Sequence, residues 1–173
     1  KRPDLTAEVI DKDGYFHTGD IGEFVNGKYL KITDRMKEIF KTSGGKYIAA
    51  LMIENKLKES PFIEQVMVIG EGQKFPSAYI SPSFAALQTW AAKKGIEVGS
   101  NKELIAHPEV KALIRAEVEK ANATLAQYEK IKREAIVDSE WSVASGELTP
   151  KMSLKRKVIM EKNKELFNQI YSE

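Results

Sequence analysis

Two short segments of the chain carry the residue types that could bind a phosphorylated ligand. The first runs from Asp13 to Asp20 and reads DGYFHTGD, so that a glycine directly precedes a carboxylate. A glycine turn can place the Asp20 carboxylate at the end of a loop, where its two acceptor oxygens suit the paired hydroxyls of a sugar. Taken alone, a Gly-Asp pair is more often a simple turn.

The second segment reads DRMKEIFKTSGGK from Asp34 to Lys46. Arg35 offers a planar fork of donors that suits a phosphate, and the Ser43–Gly45 loop lets another backbone or a ligand approach closely. Lys41 and Lys46 could touch phosphates, although solvent-facing strand lysines fit the pattern equally well. An acid beside an arginine is, taken alone, an ordinary surface ion pair.

In this order and spacing the two segments resemble the adenylate-forming superfamily of acyl-CoA synthetases, luciferases and peptide-synthetase adenylation domains. Three later stretches resemble its long-chain fatty-acid branch: YEKIKR at 128–133, EWS at 140–142 and GELTPKMSLKRK at 146–157. The resemblance covers essentially the whole chain. It implies a ligase that uses ATP to convert a fatty acid to acyl-AMP and then transfers the acyl group to coenzyme A (CoA), with Mg²⁺ bound mainly by a larger domain outside this chain.

The resemblance also implies roles for individual residues. Asp20 matches the carboxylate that binds both ribose hydroxyls, and Arg35 matches the arginine that reaches the ribose and phosphate region. Ile32 either lines the nucleotide pocket or is an ordinary strand residue. Gly44 and Gly45 match the loop that enters the site for thioester formation, where glycine lets the backbone approach the pantetheine arm of CoA.

Two further implied roles concern movement and charge. Lys37 falls at the hinge position, about which the domain rotates between the two half-reactions. The family also brings a lysine from near its C-terminus to the charge that builds between the carboxylate and the α-phosphate. Alignment from Leu148 without a gap places Lys155 on that lysine, whereas alignment from Pro150 places Arg156 there. The chain has Ser-Leu-Lys in place of the common Ser-Gly-Lys, so both residues stay candidates, with Lys155 preferred.

Composition excludes several other classes of function. The 173 residues are 42% apolar, which is enough for one buried core. A formal net charge of +2 argues against a general nucleic-acid binder. With no cysteine and two histidines, we expect neither disulfides nor a metal site. No apolar run approaches the ~20 residues that cross a bilayer. We therefore expect a cytoplasmic chain. Because its substrates would be fatty acids, peripheral contact with a membrane stays open.

The hydrophobic pattern predicts an α+β fold with a small antiparallel or mixed sheet of about three strands and flanking helices. An Asn26-Gly27 pair within the alternating run 23–32 predicts a two-stranded hairpin arm before the sheet. Predicted strands lie at 37–42, 46–48, 63–69, 77–80 and 131–137. Predicted helices lie at 51–58, at 83–94 with Ser83 as cap and Gly95 as stop, from Pro108 onward, and from about Lys157 to the end. The stripe on the helix after Pro108 should face the core: Val110, Leu113, Ile114, Val118, Ala121 and Leu125.

We expect residues 1–33 to be the end of a large N-terminal domain with a hairpin linker, and residues 34–173 to be a C-terminal lid domain. Because the chain opens without Met on residues that resemble family sequence after a long upstream domain, we expect a fragment that is inactive alone. Two alternatives stay open. One is a ligase of another acyl class or with a carrier protein as acceptor, and the other is a non-catalytic module that binds a nucleotide or a partner.

Overall fold

A computed structural model of the chain describes residues 2–172, apart from the side chains of Asp34 and Lys37. The chain opens with a short helix, α1 (Pro3–Val9), which sequence analysis did not predict. The hairpin arm follows as β1 (Asp20–Val25) and β2 (Tyr29–Arg35), paired antiparallel. Its turn residues, Asn26 and Gly27, have φ of 53° and 66°, as a type I′ turn requires, so the predicted hairpin is confirmed.

A 3-10 helix at Met36–Glu38 joins the arm to the rest of the chain. The remaining elements are, in order, β3 (Ile39–Lys41), β4 (Tyr47–Ala49), α2 (Ala50–Leu57), β5 (Ile63–Ile69), β6 (Ser77–Pro82), α3 (Phe84–Lys93), α4 (Asn101–Ala106), α5 (Pro108–Asn122), β7 (Glu134–Ile136), α6 (Arg156–Lys162) and α7 (Lys164–Tyr171). The α+β prediction is confirmed.

The central sheet has the strand order β5-β6-β7. β5 and β6 pair antiparallel, whereas β6 and β7 pair parallel, so the predicted three-stranded sheet is of the mixed kind. β7 is shorter than the predicted strand at 131–137. Consecutive residues of β5 and β6 are buried on both sides of the sheet, which explains why these strands read as continuous apolar runs.

Two hydrophobic cores lie on the two faces of this sheet, because side chains alternate along each strand. Val66, Val68 and Ile80 belong to the core shared with α2, α3, α4 and α5. That core also contains four of the six residues of the predicted stripe on α5: Val110, Ile114, Val118 and Ala121, with Leu113 and Leu125 packed against it. Met67, Ile69 and Tyr79 belong to the second core, under α6 and α7.

The C-terminal part differs from prediction in one respect. Instead of one helix there are two, α6 and α7, which meet at Asn163. Tyr79 fixes this junction to the sheet, since its hydroxyl donates to the carbonyl of Asn163 at 3.1 Å. The junction thereby lies directly above the middle strand of the sheet.

Candidate functional site

Asp20 and Arg35 lie directly opposite each other on the hairpin arm. They are partners in the β1–β2 register, and Nε of Arg35 lies 3.4 Å from a carboxylate oxygen of Asp20. The turn predicted before Asp20 is present, with Gly19 at φ 77°. Both side chains stay accessible, 62% exposed for Arg35 and 32% for Asp20. The arm therefore presents an acceptor pair beside a guanidinium fork, which suits a hydroxyl next to a phosphate.

Ile32 lies on β2 opposite Gly22 and is 53% exposed. Its side chain borders a groove of about 730 Å³ between the arm, α2 and the end of α5. A role for Ile32 in lining a nucleotide pocket stays a prediction.

A loop of residues 149–153, here called the tip loop, lies on the same side of the molecule as Arg35. A β-bridge between Leu148 and Leu154 closes its base. Arg35 shares a cavity of about 270 Å³ with Met152 and Ser153 of this loop. The structure thus brings one end of the arm next to the segment in which a catalytic cation is predicted.

Lys155 and Arg156 follow the tip loop and differ sharply in their surroundings. Lys155 is the N-cap residue of α6 and is exposed, and it makes no ion pair with any side chain that the structure describes. Arg156 is 26% exposed and points inward. Its Nη2 donates to both carboxylate oxygens of Glu54 at 2.8 Å, and its Nη1 donates to the carbonyl of Val68 at 3.3 Å. Arg156 is thus committed to an internal contact, and Lys155 is not.

Glu54 explains why Arg156 points inward. This glutamate lies on the buried face of α2, with only 4% of its side chain exposed. Burial raises the pKa of Glu54 to about 7, although the Arg156 guanidinium and the N–H of Val68, which donates at 2.7 Å, favour the ionised form. A second carboxylate, Glu38, lies 3.4 Å from the same guanidinium and adds to the rise. A buried acid of this kind requires a charged or hydrogen-bonding partner.

The Ser43–Gly45 loop lies at the opposite end of β3 from Glu38 and Arg156. Three strand residues, a length of about 10 Å, separate the two ends. Thr42 closes the loop, since its N–H donates to the carbonyl of Lys46 and its carbonyl accepts from Gly45, both at 2.9 Å. Gly45 has φ of 81°, a left-handed conformation that favours glycine. Gly44 and Gly45 are therefore not brought together with Asp20 and Arg35.

The two lysines that flank the glycine loop contact aromatic rings. Lys41 Nζ lies 5.4 Å from the ring centroid of Tyr47, and Lys46 Nζ lies 5.7 Å from that of Tyr128. Both ammonium groups remain at the surface, so these contacts leave phosphate binding open.

Lys37 is the middle residue of the 3-10 helix between β2 and β3. Its backbone therefore lies where the arm ends and the rest of the chain begins, but its side chain is outside the described part of the structure. The hinge role stays a prediction.

Sequence reasoning missed the internal acids of the site, Glu54 and Glu147. A signal for Glu54 was available, because it falls on the apolar face of α2 together with Ala50, Ile53 and Leu57. A carboxylate in such a stripe indicates a buried partner. Glu147 gives no such signal, since it lies in a loop and is paired with Lys162, 15 residues away.

Within residues 2–172 there is no group of three or more metal-binding side chains and no helix long and apolar enough to cross a bilayer.

Comparison with known proteins identifies the family. Residues 37–173 match the model of the AMP-binding enzyme C-terminal domain. The chain is 39% identical to the long-chain-fatty-acid–CoA ligase 1 of Cavia porcellus, over 99% of this chain and 25% of that protein. It is 36% identical to a putative fatty-acid–CoA ligase, fadD11, of Mycobacterium tuberculosis, over 99% of this chain and 30% of that protein.

The fold also matches a solved structure. The adenylation domain of a carboxylate reductase from Mycobacterium chelonae superposes with a TM-score of 0.80 at 27% identity, over all of this chain and 25% of that one. The chain spans 25% to 30% of the length of these two curated relatives. It belongs to the AMP-binding, adenylate-forming enzymes and carries their C-terminal domain.

Proposed function

We propose that this chain is the C-terminal part of a long-chain fatty acid–CoA ligase, an ATP-dependent, AMP-forming acid–thiol ligase. The observation that carries the proposal is the Asp20–Arg35 pair, which lies across the arm and beside the tip loop. The ligases named among its relatives support the same reaction class. Residues 1–33 would end the large domain, and residues 34–173 would form the lid that closes on it.

The reaction consists of two half-reactions. In the first, a carboxylate oxygen of the fatty acid attacks the α-phosphorus of ATP, the bond to the β-phosphate oxygen breaks, and pyrophosphate leaves. In the second, the sulfur of CoA attacks the acyl carbon, the thiol proton is lost, the bond to the phosphate oxygen breaks, and AMP leaves. Mg²⁺ would be held mainly by the rest of the enzyme.

The arm supplies groups that would hold the nucleotide. The Asp20 carboxylate has acceptors for both ribose hydroxyls, and Arg35 has donors for an adjacent phosphate. Ile32 would offer an apolar edge near the base. Between the two half-reactions the lid domain would rotate about Lys37. The tip loop would then leave the acyl-AMP, and the Ser43–Gly45 loop would take its position. Gly44 and Gly45 would let the backbone lie against the pantetheine arm.

Lys155 is the proposed catalytic cation of the first half-reaction. It is exposed and extends from the N-cap of α6, whereas the guanidinium of Arg156 is held by Glu54. Once the tip loop closes on a site poor in water, the ammonium group would neutralise charge that builds between the carboxylate and the α-phosphate. A surface cation in open solvent would be screened within ~8 Å and could not do this.

Lys155→Ala tests this assignment in the full-length gene product that contains this chain. We expect the rate of acyl-AMP formation, measured as pyrophosphate release, to fall by about a hundred- to a thousandfold. Thioester formation from supplied palmitoyl-AMP should change little. Lys93→Ala, which removes an exposed lysine from the end of α3, is the matched control. Equal losses in both half-reactions would show that Lys155 is not the cation of the first half-reaction. An unchanged rate of acyl-AMP formation would instead assign that role to another basic residue, Arg156 or Lys157.

The acceptor and the substrate separate the alternatives. A full-length protein that uses a carrier-protein thiol instead of CoA, or that prefers a short or aromatic acid, would place the chain in another branch of the family. We further propose a cytoplasmic enzyme with peripheral membrane contact through its fatty substrate, which co-sedimentation with phospholipid vesicles tests.

A further inference from the structure

The turn between β5 and β6, residues 70–76, is hydrogen-bonded to the Ser43–Gly45 loop. The N–H of Ser43 donates to the carbonyl of Gln73 at 2.9 Å, and the N–H of Gly72 donates to the carbonyl of Lys41, also at 2.9 Å. β3 and β4 form a separate two-stranded pair that shares no ladder with the central sheet. These two backbone bonds therefore tie the glycine loop to the end of the sheet.

Tyr171, near the end of α7, holds this turn at both of its ends. Its hydroxyl lies 3.3 Å from the carbonyl oxygen of Ile69, just before the turn, and 3.1 Å from that of Phe75, near its end. Its ring packs on Phe75 and Phe167 with centroid distances of 5.4 and 4.8 Å. One side chain thus bridges the mouth of the turn.

The turn is shaped to receive this hydroxyl. Gly70 has φ of 134°, and a Cβ at this position would lie 2.8 Å from the carbonyl oxygen of Phe75 and 3.0 Å from the hydroxyl of Tyr171. A side chain would therefore displace the contact. Arg133 further connects the turn to α7, because its guanidinium lies 5.5 Å from the ring centroid of Phe75 and donates to the carbonyl of Ile170 at 2.5 Å.

The Tyr171 hydroxyl can act as a donor throughout the physiological range. Burial raises the pKa of Tyr171 above its ordinary value, so the phenol stays protonated. A chain of short contacts then runs from the last helix, through the turn, to the backbone of Ser43. It involves no residue of the arm and no residue of the tip loop.

We propose that Tyr171 is a positioning residue for thioester formation, acting through the 70–76 turn on the Ser43–Gly45 loop. This inference rests on the proposed function, in which that loop meets the pantetheine arm. Tyr171 touches no substrate. It limits the positions that the loop can take, and misplacement of a loop by about 1 Å is enough to slow a reaction substantially.

Tyr171→Phe in the full-length protein tests the proposal, because it removes the hydroxyl and keeps the ring. We expect thioester formation from supplied palmitoyl-AMP to fall about tenfold, with a raised KM for CoA, while pyrophosphate release changes less than about twofold. Amide hydrogen exchange at Ser43 and Gly72 should become faster in the same variant, since their bonds to the turn loosen.

Tyr79→Phe is the matched control. It also removes one buried hydroxyl that anchors the C-terminal helices, here through the carbonyl of Asn163, but no hydrogen bond among the described residues joins that hydroxyl to the turn. We expect it to lower the thermal unfolding temperature about as much as Tyr171→Phe while leaving the ratio of the two half-reaction rates unchanged. That comparison separates positioning from a general loss of stability.

Two results would overturn the proposal. One is a Tyr171→Phe enzyme whose half-reactions fall in equal proportion or not at all. The other is unchanged exchange at Ser43. A wild-type protein that forms acyl-AMP but no acyl-CoA is a different result. It refutes the proposed function and, with it, the role of Tyr171 in thioester formation. Hydrogen exchange at Ser43 and Gly72 still tests whether Tyr171 holds the 70–76 turn against the Ser43–Gly45 loop.

Discussion

Two buried glutamates of the chain are held in opposite ways. Glu54 is bonded to Arg156, yet burial dominates and raises its pKa to about 7. At Glu147 burial also acts against ionisation, but the Lys162 ammonium at 2.5 Å and the Ser145 hydroxyl outweigh it and lower the pKa to about 2. The carbonyl of Glu147 accepts the N–H of Lys155 at 2.7 Å. The ionised carboxylate holds Ser145 and Lys162 of α6 and so forms a side-chain clamp beside the backbone bond that closes the base of the tip loop.

Replacing Glu147 should show this clamp in the pH dependence of stability. A carboxyl whose pKa is lower in the folded chain adds stability above its unfolded pKa of about 4.5, and that stability is lost as pH falls towards 2. We expect Glu147→Gln to reduce the free energy of unfolding by up to about 3 kcal/mol at pH 7, and the difference from wild type to narrow below about pH 4.5. Urea unfolding across this range measures it.

Glu161→Gln, an exposed acid on α6, serves as the control and should follow the wild type at every pH. A Glu147→Gln protein that runs parallel to the wild type between pH 7 and pH 3 would show that Lys162 does not hold the ionised form.

At the scale of elements, much of the fold was predictable because local rules and tertiary packing agree. The hairpin arm follows from Asn26-Gly27, the strand pair from two apolar runs, and α5 from Pro108 with its stripe. The resemblance assigns Asp20 and Arg35 to one nucleotide site, but their direct opposition was not predictable, since only the register of β1 and β2 places them opposite each other. The register set near the turn, where Val25 pairs with Tyr29, shifts by one residue at an irregularity between Ile21 and Gly22, and the sequence does not reveal that shift.

Other elements were missed because their signals are short or compete. Ser100 is the N-cap residue of α4, and its hydroxyl accepts the N–H of Glu103, a capping pattern overlooked in a six-residue helix. Ser83, predicted as a cap, occupies the N-cap position of α3 without a side-chain capping bond. The break at Asn163 divides a continuous amphipathic run, and the anchoring by Tyr79 from 84 residues away is what the sequence cannot reveal.

The contact between Arg156 of α6 and Glu54 of α2 joins the two faces of the sheet. We expect Arg156→Ala to destabilise the chain by about 3 kcal/mol at pH 8, because it leaves a buried carboxylate without its counter-charge. The loss should be smaller at pH 5, since Glu54, with a pKa of about 7, is then protonated in the folded state. Chemical unfolding at both pH values measures the difference.

A double variant gives the decisive comparison. Arg156→Met combined with Glu54→Leu removes both charges, and it should recover most of the stability that either single change loses. If the two losses simply add, the ion pair does not connect α6 to α2 energetically.

For the whole molecule, the arrangement at the two ends of β3 is the central result. The Asp20–Arg35 pair and the tip loop lie at one end, and the glycine loop lies at the other. The two ends lie about 10 Å apart along the strand and present different groups. If the two ends act in turn on the same acyl-AMP, as we propose, the domain would rotate between the two half-reactions, and the backbone of Met36–Glu38 is the connection about which it would do so.

The isolated 173-residue chain should therefore fold but bind ATP weakly, with a Kd above about 1 mM by titration calorimetry, and should show no acyl-CoA formation. The groups that we propose contact the nucleotide lie open to solvent, with Arg35 62% exposed, so they lack the enclosing walls from which small-ligand sites gain affinity. The full-length protein, measured alongside, should bind ATP far more tightly, and Asp20→Asn should weaken that binding because one ribose acceptor is lost. Micromolar binding by the isolated chain would instead favour a nucleotide-binding module that acts without a larger domain.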